Sequence, residues 1–263
     1  SKPRRGYYAC ELPEAPVLAL AAEDADRDAA PASFGVHDSY GQPEQFAPLS
    51  PSALEAAHLW QSALRATLTS EDEREIFSPA PAQGTARLRC AIAHHLRGTR
   101  GMNVNPDNIV IGAGAQLLDT ILVQLLGADK TYAVEDPGYL RLTRIYQAMG
   151  CEVRHVPLDG EGVNLGELLD AGADVLHLMP SHQYPTGLVT SIARRYALLS
   201  WAAERPGRYL IEDDFDCEFR LAGKPIPALA SIDAAQSVIY TNTFSKSLSS
   251  ALRLAYMVLP DEL

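Results

Sequence analysis

Short apolar runs alternate with helix-patterned segments from about residue 52 onward, and this alternation constrains the fold more than any other feature. Seven runs are rich in aliphatic, β-branched and aromatic residues and stop at glycine, proline or acidic residues, as strands do. They are NIVIGAG (108–114), TYAVEDPG (131–138), CEVRHVPL (151–158), DVLHLMP (174–180), RYLIEDDFD (208–216), SVIYTN (237–242) and RLAYMVLP (253–260). The sequence therefore predicts an α/β fold, a three-layer sandwich around a mostly parallel seven-stranded sheet.

Helical spacing of apolar residues predicts the helices that cover this sheet. The segments are 52–68, 86–98, 115–127, 139–150, 163–172 and 193–207. Only about a dozen residues separate the last two strands, which is too short for a helical crossover. The final strand is therefore expected to run antiparallel.

Composition narrows the class of protein. The chain has 263 residues, 47% of them hydrophobic, with 33 acidic and 22 basic residues and a net charge of −11. Such an acidic chain is poorly suited to grip nucleic acid by itself. The scattered Cys10, Cys90, Cys151 and Cys217 indicate reduced thiols, and no membrane span or signal peptide is visible, so we expect a soluble, cytoplasmic protein.

The chain divides into two parts by composition. Residues 1–50 are first basic, then acidic and turn-rich, which predicts a linker or N-terminal arm. Residues 51–263 carry the periodic patterns and are expected to form one large domain.

Five loops with unusual composition follow predicted strands. They are GAGAQ (112–116), EDPGY (135–139), PSHQYPTG (180–187), EDDFD (212–216) and TNTFSK (241–246). Because the carboxyl ends of parallel strands meet at one edge of a sheet, these loops are expected to converge on a ligand site.

Taken singly, the residues of these loops leave alternatives open. Gly114 suits either a plain tight turn or close approach of an anion to a helix N-terminus. Asp213 and Asp214 suit a divalent metal site, a solvated loop, or a carboxylate that pairs with a protonated heterocycle. His182 is either structural or a ligand or base.

Two further side chains are equally ambiguous. Tyr139 is either a core aromatic or a ring that stacks on a planar ligand. Arg141 forms either a surface salt bridge or a pair with a ligand carboxylate.

Together these residues favour pyridoxal 5′-phosphate (PLP), with Lys246 bound covalently to its aldehyde. The lysine amine must lose a proton to react, and burial with a neighbouring cation would lower its pKa. Arg253 supplies such a cation and can pair with the phosphate, while Thr243 and Ser245 offer hydroxyl groups to it.

The motifs IEDDFDCEF, PSHQYPTG, EDPGY and NTFSKSLSSALRLAYMVLP resemble the aminotransferase-like domain of MocR-type regulators in the GntR family, from about residue 75 to the end. These are fold type I PLP proteins related to aspartate aminotransferase. The resemblance implies a PLP-binding large domain and a homodimer. It also implies that DNA is bound only through a winged helix–turn–helix domain that this chain lacks, and that the smaller C-terminal domain is absent.

The resemblance also implies roles for single residues. Lys246 resembles the lysine that binds the PLP aldehyde, Asp213 the carboxylate that keeps the pyridine nitrogen protonated, and Tyr139 the stacking ring. Ala115 and Gln116, with Thr243, Ser245 and Arg253, are implied to bind the phosphate, and Gly114 is the cofactor-binding glycine that lets backbone N–H groups approach it. Arg141 resembles an arginine that contacts the carboxylate of an amino-acid effector in one branch of the family.

Two departures from the family pattern bear on function. Phe215 replaces the usual tyrosine of EDDYD, so the hydroxyl donor to the PLP phenolic oxygen is absent. Tyr184 replaces the asparagine of NPTG and is a candidate to restore that donor. The resemblance favours an effector sensor that responds to PLP, an amine or an amino acid; a genuine aminotransferase is the alternative, and an interaction module with a vestigial site is disfavoured.

Overall fold

The computed structural model of the protein describes residues 51–70, 78–219 and 227–263. The predicted linker, residues 1–50, lies outside the described residues. Within the described ranges, no helix combines the length and the apolar character needed to cross a membrane.

One eight-stranded sheet organises the fold. Its strands are β1 (Ile109–Gly112), β2 (Thr131–Asp136), β3 (Glu152–Asp159), β4 (Gly162–Val163), β5 (Val175–Leu178), β6 (Tyr209–Asp213), β7 (Val238–Thr243) and β8 (Ala255–Val258). Their order across the sheet is β1-β8-β7-β6-β5-β2-β3-β4. All seven predicted strands are present; the eighth, β4, is a two-residue strand that sequence periodicity is too coarse to detect.

The strand directions confirm the mostly parallel sheet. β2, β3, β5, β6 and β7 pair in parallel, whereas β8 lies antiparallel between β7 and β1. The expected reversal of the last strand is therefore confirmed. Val163, assigned from sequence to a helix, instead pairs with Leu158 in an antiparallel hairpin between β3 and β4.

Seven α-helices are described. They are α1 (Pro51–Ser70), α2 (Ala86–Arg100), α3 (Ala115–Leu126), α4 (Leu140–Ala148), α5 (Leu165–Asp170), α6 (Ile192–Ala203) and α7 (Leu229–Ile232). Side-chain oxygens of Thr85, Asn164 and Ser191 accept backbone N–H groups at the starts of α2, α5 and α6. Such capping satisfies N–H groups that have no partner inside the helix, and it fixes where each helix begins.

Two hydrophobic layers enclose the sheet, which confirms the three-layer sandwich. Tyr132 and Val134 of β2 belong to the cluster that includes α3 and α4 residues, whereas Ala133 belongs to the opposite cluster with Leu198 and Trp201 of α6. Successive strand residues face opposite sides, so a strand buried on both faces reads as a continuous apolar run.

Candidate cofactor site

The register of the sheet brings the predicted loops to one edge. Gly112 at the end of β1 and Thr243 at the end of β7 both pair with Ala255, which begins β8. On the far side of β7, Thr241 pairs with Asp213, the last residue of β6. The glycine loop, the loop that carries Lys246 and the acidic loop therefore neighbour one another, as expected from sequence.

Gly114 and Arg253 form a tight corner at the start of α3. Gly114 adopts φ +97° and ψ 159°, a conformation essentially restricted to glycine. A Cβ atom built there would lie 2.1 Å from a terminal guanidinium nitrogen of Arg253, so the absence of a side chain admits the guanidinium. Arg253 itself has the left-handed backbone φ of +50°. The corner combines a fixed cation with the N-terminus of the twelve-residue α3, where Ala115 and Gln116 form the first turn.

Thr243 and Ser245 connect this corner to Lys246. The Thr243 hydroxyl donates to the Ser245 hydroxyl over 2.8 Å, and the Ser245 N–H donates to Thr243 Oγ1 over 3.2 Å. Ser245–Ser249 then forms one π-helical turn, an arrangement frequent at functional sites. Two hydroxyl groups and a backbone turn thus stand between the cation of Arg253 and the lysine.

Lys246 lies on this turn and lines a cavity of about 420 Å³ together with His182, Tyr184 and Phe215. Its side chain is exposed, so the burial that the sequence analysis expected around the amine is not found. The physical reason is that the π-helical turn ends β7 at the edge of the sheet, beyond the layers that cover its two faces.

Asp213 and the adjacent Asp214 lie in different surroundings. Asp214 is buried and accepts from the Tyr240 hydroxyl over 2.7 Å, while its Oδ2 lies 2.9 Å from Arg100 Nε. Burial raises the pKa of Asp214, and the charge of Arg100 opposes that rise. Asp213 keeps 14% of its side chain exposed, with Oδ2 3.9 Å from the buried His177 Nε2.

These surroundings bear on the three alternatives for the acidic pair. Among residues 51–70, 78–219 and 227–263, no group of three or more His, Cys, Asp and Glu side chains is arranged to hold a metal ion. Asp214 is buried and paired with Tyr240 and Arg100 inside the fold, so the solvated-loop interpretation is wrong for it. Asp213 is the half of the pair that remains accessible at the strand end.

An aromatic rim lies at the mouth of the site. Tyr139, which precedes α4, contacts Tyr184 edge to face with ring centroids 5.9 Å apart. The Arg141 guanidinium lies 5.9 Å from the Tyr139 ring centroid. Tyr139 and Tyr184 are 38% and 51% exposed, so Tyr139 is not a core aromatic and both rings are free to meet a ligand.

Phe215 and His182 stack beside the lysine. Their ring centroids lie 6.0 Å apart with the planes at 19°, and His182 Nδ1 contacts the Asp216 carboxylate closely. The contact fixes the orientation of the imidazole on the wall of the cavity. Asp216 belongs to the EDDFD loop identified from sequence, but nothing local to either residue shows its contact with His182, 34 positions away.

Gln183, which the sequence analysis did not single out, joins two of the loops. It is 1% exposed, and its Nε2 donates to the Pro137 carbonyl over 2.8 Å, linking PSHQYPTG to EDPGY. Its Oε1 accepts from the Thr186 hydroxyl over 2.6 Å. Glu135 lies behind it and accepts from Met179 N–H over 3.0 Å. A glutamine in a proline- and glycine-rich loop reads as solvated, so only its burial reveals this role.

A family model described as aminotransferase class I and II matches residues 47–263. The chain belongs to this family. YdeL of Bacillus subtilis, described as an uncharacterised HTH-type transcriptional regulator, is 33% identical over 268 residues, covering 100% of this chain and 55% of YdeL. The probable rhizopine catabolism regulatory protein MocR of Rhizobium meliloti is 32% identical, covering 68% of this chain and 36% of MocR.

Solved structures support the same family. The crystal structure of LysN, an α-aminoadipate aminotransferase from Thermus thermophilus complexed with N-(5′-phosphopyridoxyl)-L-leucine, has a TM-score of 0.70 and 27% identity, covering 81% of this chain and 55% of LysN. The predicted aspartate aminotransferase-like large-domain fold and the resemblance to MocR-type regulators are both confirmed. The chain spans about half of the length of YdeL and LysN and about a third of MocR.

Proposed function

We propose that this chain is the PLP-binding, effector-sensing and dimerising domain of a cytoplasmic MocR-type transcriptional regulator. The observation that carries the proposal is the Gly114–Arg253 corner at the start of α3, one strand away from the turn that holds Lys246. The Arg253 cation and the N-terminus of α3 can both bind a phosphate. The amine of Lys246, which follows Thr243 and Ser245 in the chain, can react with an aldehyde.

The residues present fit PLP. Gly114, Ala115, Gln116, Thr243, Ser245 and Arg253 would hold the phosphate. Asp213 would pair with the protonated pyridine nitrogen, Tyr139 would stack on the ring, and Lys246 would bind the aldehyde, with Phe215 on the cavity wall. Bound PLP supplies an electrophilic aldehyde, to which an effector amine can attach, and an electron-withdrawing ring.

Effector recognition is assigned to the aromatic rim. Arg141 carries a positive charge next to Tyr139 and Tyr184, so an amino acid that reached the cavity would meet a cation suited to its carboxylate. Effector binding would then shift the equilibrium between two conformations, and a DNA-binding domain outside this chain would respond. DNA itself is not proposed to bind this acidic domain.

An aminotransferase is the second candidate, and it rests on the similarity to LysN. In that case Lys246 would move a proton between the α-carbon of a substrate and the cofactor. Multiple turnover with amino donors and 2-oxo acids would favour the enzyme. A single slow half-reaction would favour the sensor.

Absorption spectroscopy of the purified chain with added PLP tests the shared part of both candidates. We expect a band near the visible edge that borohydride reduction erases. Reduction leaves PLP attached to Lys246 through a stable amine, which mass spectrometry detects as a mass increase on that residue. Lys246→Ala should abolish the band, because no other amine lines the cavity within the described residues.

Lys130→Ala is the matched control, since Lys130 precedes β2 at the opposite edge of the sheet and donates to the Gly207 carbonyl. Its band should match that of the unmodified chain. A band that survives Lys246→Ala would refute the assignment of Lys246. Light scattering with and without PLP would show whether the chain forms the proposed homodimer.

A further inference from the structure

A buried imidazole lies directly behind Asp213. His177 of β5 is 2% exposed, and its Nδ1 lies 2.5 Å from the hydroxyl of Tyr146 on α4. Its other nitrogen, Nε2, faces Asp213 Oδ2 at 3.9 Å and makes no hydrogen bond within the described part of the chain. A buried ring nitrogen without a partner is costly, so this orientation calls for an explanation.

Tyr146 and Asp213, the two neighbours of the His177 ring, both favour a proton on Nε2. Burial raises the pKa of Tyr146 well above its ordinary value, so its hydroxyl keeps its hydrogen and can donate to Nδ1. A carboxylate facing Nε2 requires a hydrogen there, because a lone pair would be repelled. In the neutral imidazole the hydrogen is therefore on Nε2, and in the imidazolium both nitrogens carry one.

Acidic groups surround the ring from three elements. They are Asp119 on α3, Glu135 on β2 and Asp213 on β6. Burial alone lowers the pKa of His177, but Asp213, which Nε2 faces, and the charges of Asp119 and Glu135 raise it overall. Burial raises the pKa of Asp119 and of Glu135 to about 7, so both are partly protonated near neutrality. Their negative charge is therefore reduced, and they compete only weakly with Asp213 for the proton on His177 Nε2.

We infer that His177 is a positioning residue for Asp213: its Nε2–H, fixed by Tyr146 from behind, orients the Asp213 carboxylate so that its other oxygen faces the cavity edge. The present 3.9 Å separation exceeds a hydrogen bond by about 1 Å, so a small movement of either side chain closes it. An ionised and oriented Asp213 is what a protonated pyridine nitrogen requires. That last step rests on the proposed function, whereas the arrangement of His177 does not.

The first experiment needs no cofactor. Long-range ¹H–¹⁵N correlation spectra of the PLP-free chain, with His177 assigned through His177→Gln, should show Nε2 protonated both above and below neutral pH. Asp213→Asn should lower the pH midpoint of the His177 titration, because it removes the facing negative charge. A neutral ring protonated on Nδ1, or an unchanged midpoint in Asp213→Asn, would overturn the inference whether or not PLP binds.

The second experiment follows the consequence for PLP. His177→Phe fills the space but offers no N–H, and we expect it to weaken PLP affinity about tenfold, the size of one hydrogen bond to a charged group. His177→Gln, whose amide N–H can take the place of Nε2–H, should recover part of that loss. The pH midpoint of the bound-PLP absorption should shift in His177→Phe.

Tyr132→Phe is the control for damage to the core. Tyr132 packs 4.8 Å from the Tyr146 ring, and its hydroxyl donates to the Gly127 carbonyl instead of to His177. If His177→Phe binds PLP as tightly as Tyr132→Phe, His177 does not position Asp213, although the proposed function would stand. If the unmodified chain fails to bind PLP, the proposed function fails and the cofactor-free spectra still decide the inference.

Discussion

The floor and the rim of the candidate site are held in contrasting ways. The floor, which we define as Asp213 with His177 and Tyr146 behind it, is set on strands and a helix and buried among polar partners. The rim, comprising Tyr139, Tyr184 and the Lys246 turn, is largely exposed. In the proposed function, the groups that orient the ligand are thus held by the sheet, whereas the groups that react or admit an effector lie where movement costs little.

The largest expected effect comes from the Gly114–Arg253 corner, which would hold the phosphate in the proposed function. Gly114→Ala places a Cβ 2.1 Å from the Arg253 guanidinium and so displaces the cation from the start of α3. We expect PLP affinity to fall about a hundredfold, as for the loss of a paired charge-assisted contact. Titration by absorbance measures this change.

Gly150→Ala is the control for backbone strain, because Gly150 has φ +86° and no atom within 4 Å of the added Cβ. Gly150→Ala should lose about 1 kcal/mol of stability from its positive φ, and Gly114→Ala should lose more, because its φ and ψ are essentially restricted to glycine. Only Gly114→Ala should lose PLP affinity. Equal PLP affinities in the two variants would show that the Gly114–Arg253 corner does not bind the phosphate.

The buried surroundings of the floor should also contribute to the pH dependence of stability. Burial raises the pKa of Asp119 from 3.8 to about 7 in the folded chain. The folded state therefore binds a proton that the unfolded state has released, so this stabilisation is present below pH 3.8 and is lost as pH rises through about 7. In Asp119→Asn that loss is absent, and denaturant titrations should show the variant gaining on the original chain by about 1.4 kcal/mol per pH unit in that window.

Asp170→Asn supplies the comparison from the surface, since Asp170 is exposed at the end of α5. Because the removed carboxylate is exposed, Asp170→Asn should not show the gain of about 1.4 kcal/mol per pH unit that is expected of Asp119→Asn. A pH profile for Asp119→Asn that coincides with the Asp170→Asn profile would mean that Asp119, next to the floor, does not hold a proton.

The smallest expected effect comes from Phe215, which lines the cavity beside the rim. Phe215→Tyr restores a hydroxyl donor next to Lys246 and should lower the pH midpoint of the bound-PLP absorption by about one unit or less, the equivalent of one hydrogen bond. Phe219→Tyr adds the same hydroxyl elsewhere in the cavity lining and should leave the midpoint unchanged. Identical midpoints in all three chains would show that the missing tyrosine is irrelevant.

Sequence periodicity predicted most of the fold because burial on two faces leaves a strong apolar signal. The seven longer strands, the reversal of β8 and the convergence of the loops all follow from run length and connection length. β4 escaped notice because two residues carry no period. The roles proposed for the individual loop residues remain predictions.

Other parts of the site depend on contacts between residues distant in sequence. Tyr146 and His177 are 31 residues apart, and nothing local to either shows that the two side chains meet. The only sequence signal for His177 is a titratable residue inside an otherwise apolar strand, DVLHLMP. The burial of Lys246 was mispredicted because it was inferred from the reaction that the amine was expected to perform, and the local sequence does not reveal which layer, if any, covers the side chain.

The antiparallel insertion of β8 has a consequence for the order of assembly during synthesis. Among the described strands, β1 lies at one border of the sheet and pairs only with β8, although β1 leaves the ribosome before β2 to β7 and β8 leaves after them. The glycine loop therefore has no strand neighbour while β2 to β7 are already available to pair. Nascent polypeptides that stop short of residue 255 lack the element that joins Gly112 to Thr243, so the proposed phosphate site can be assembled only after β8 has been translated.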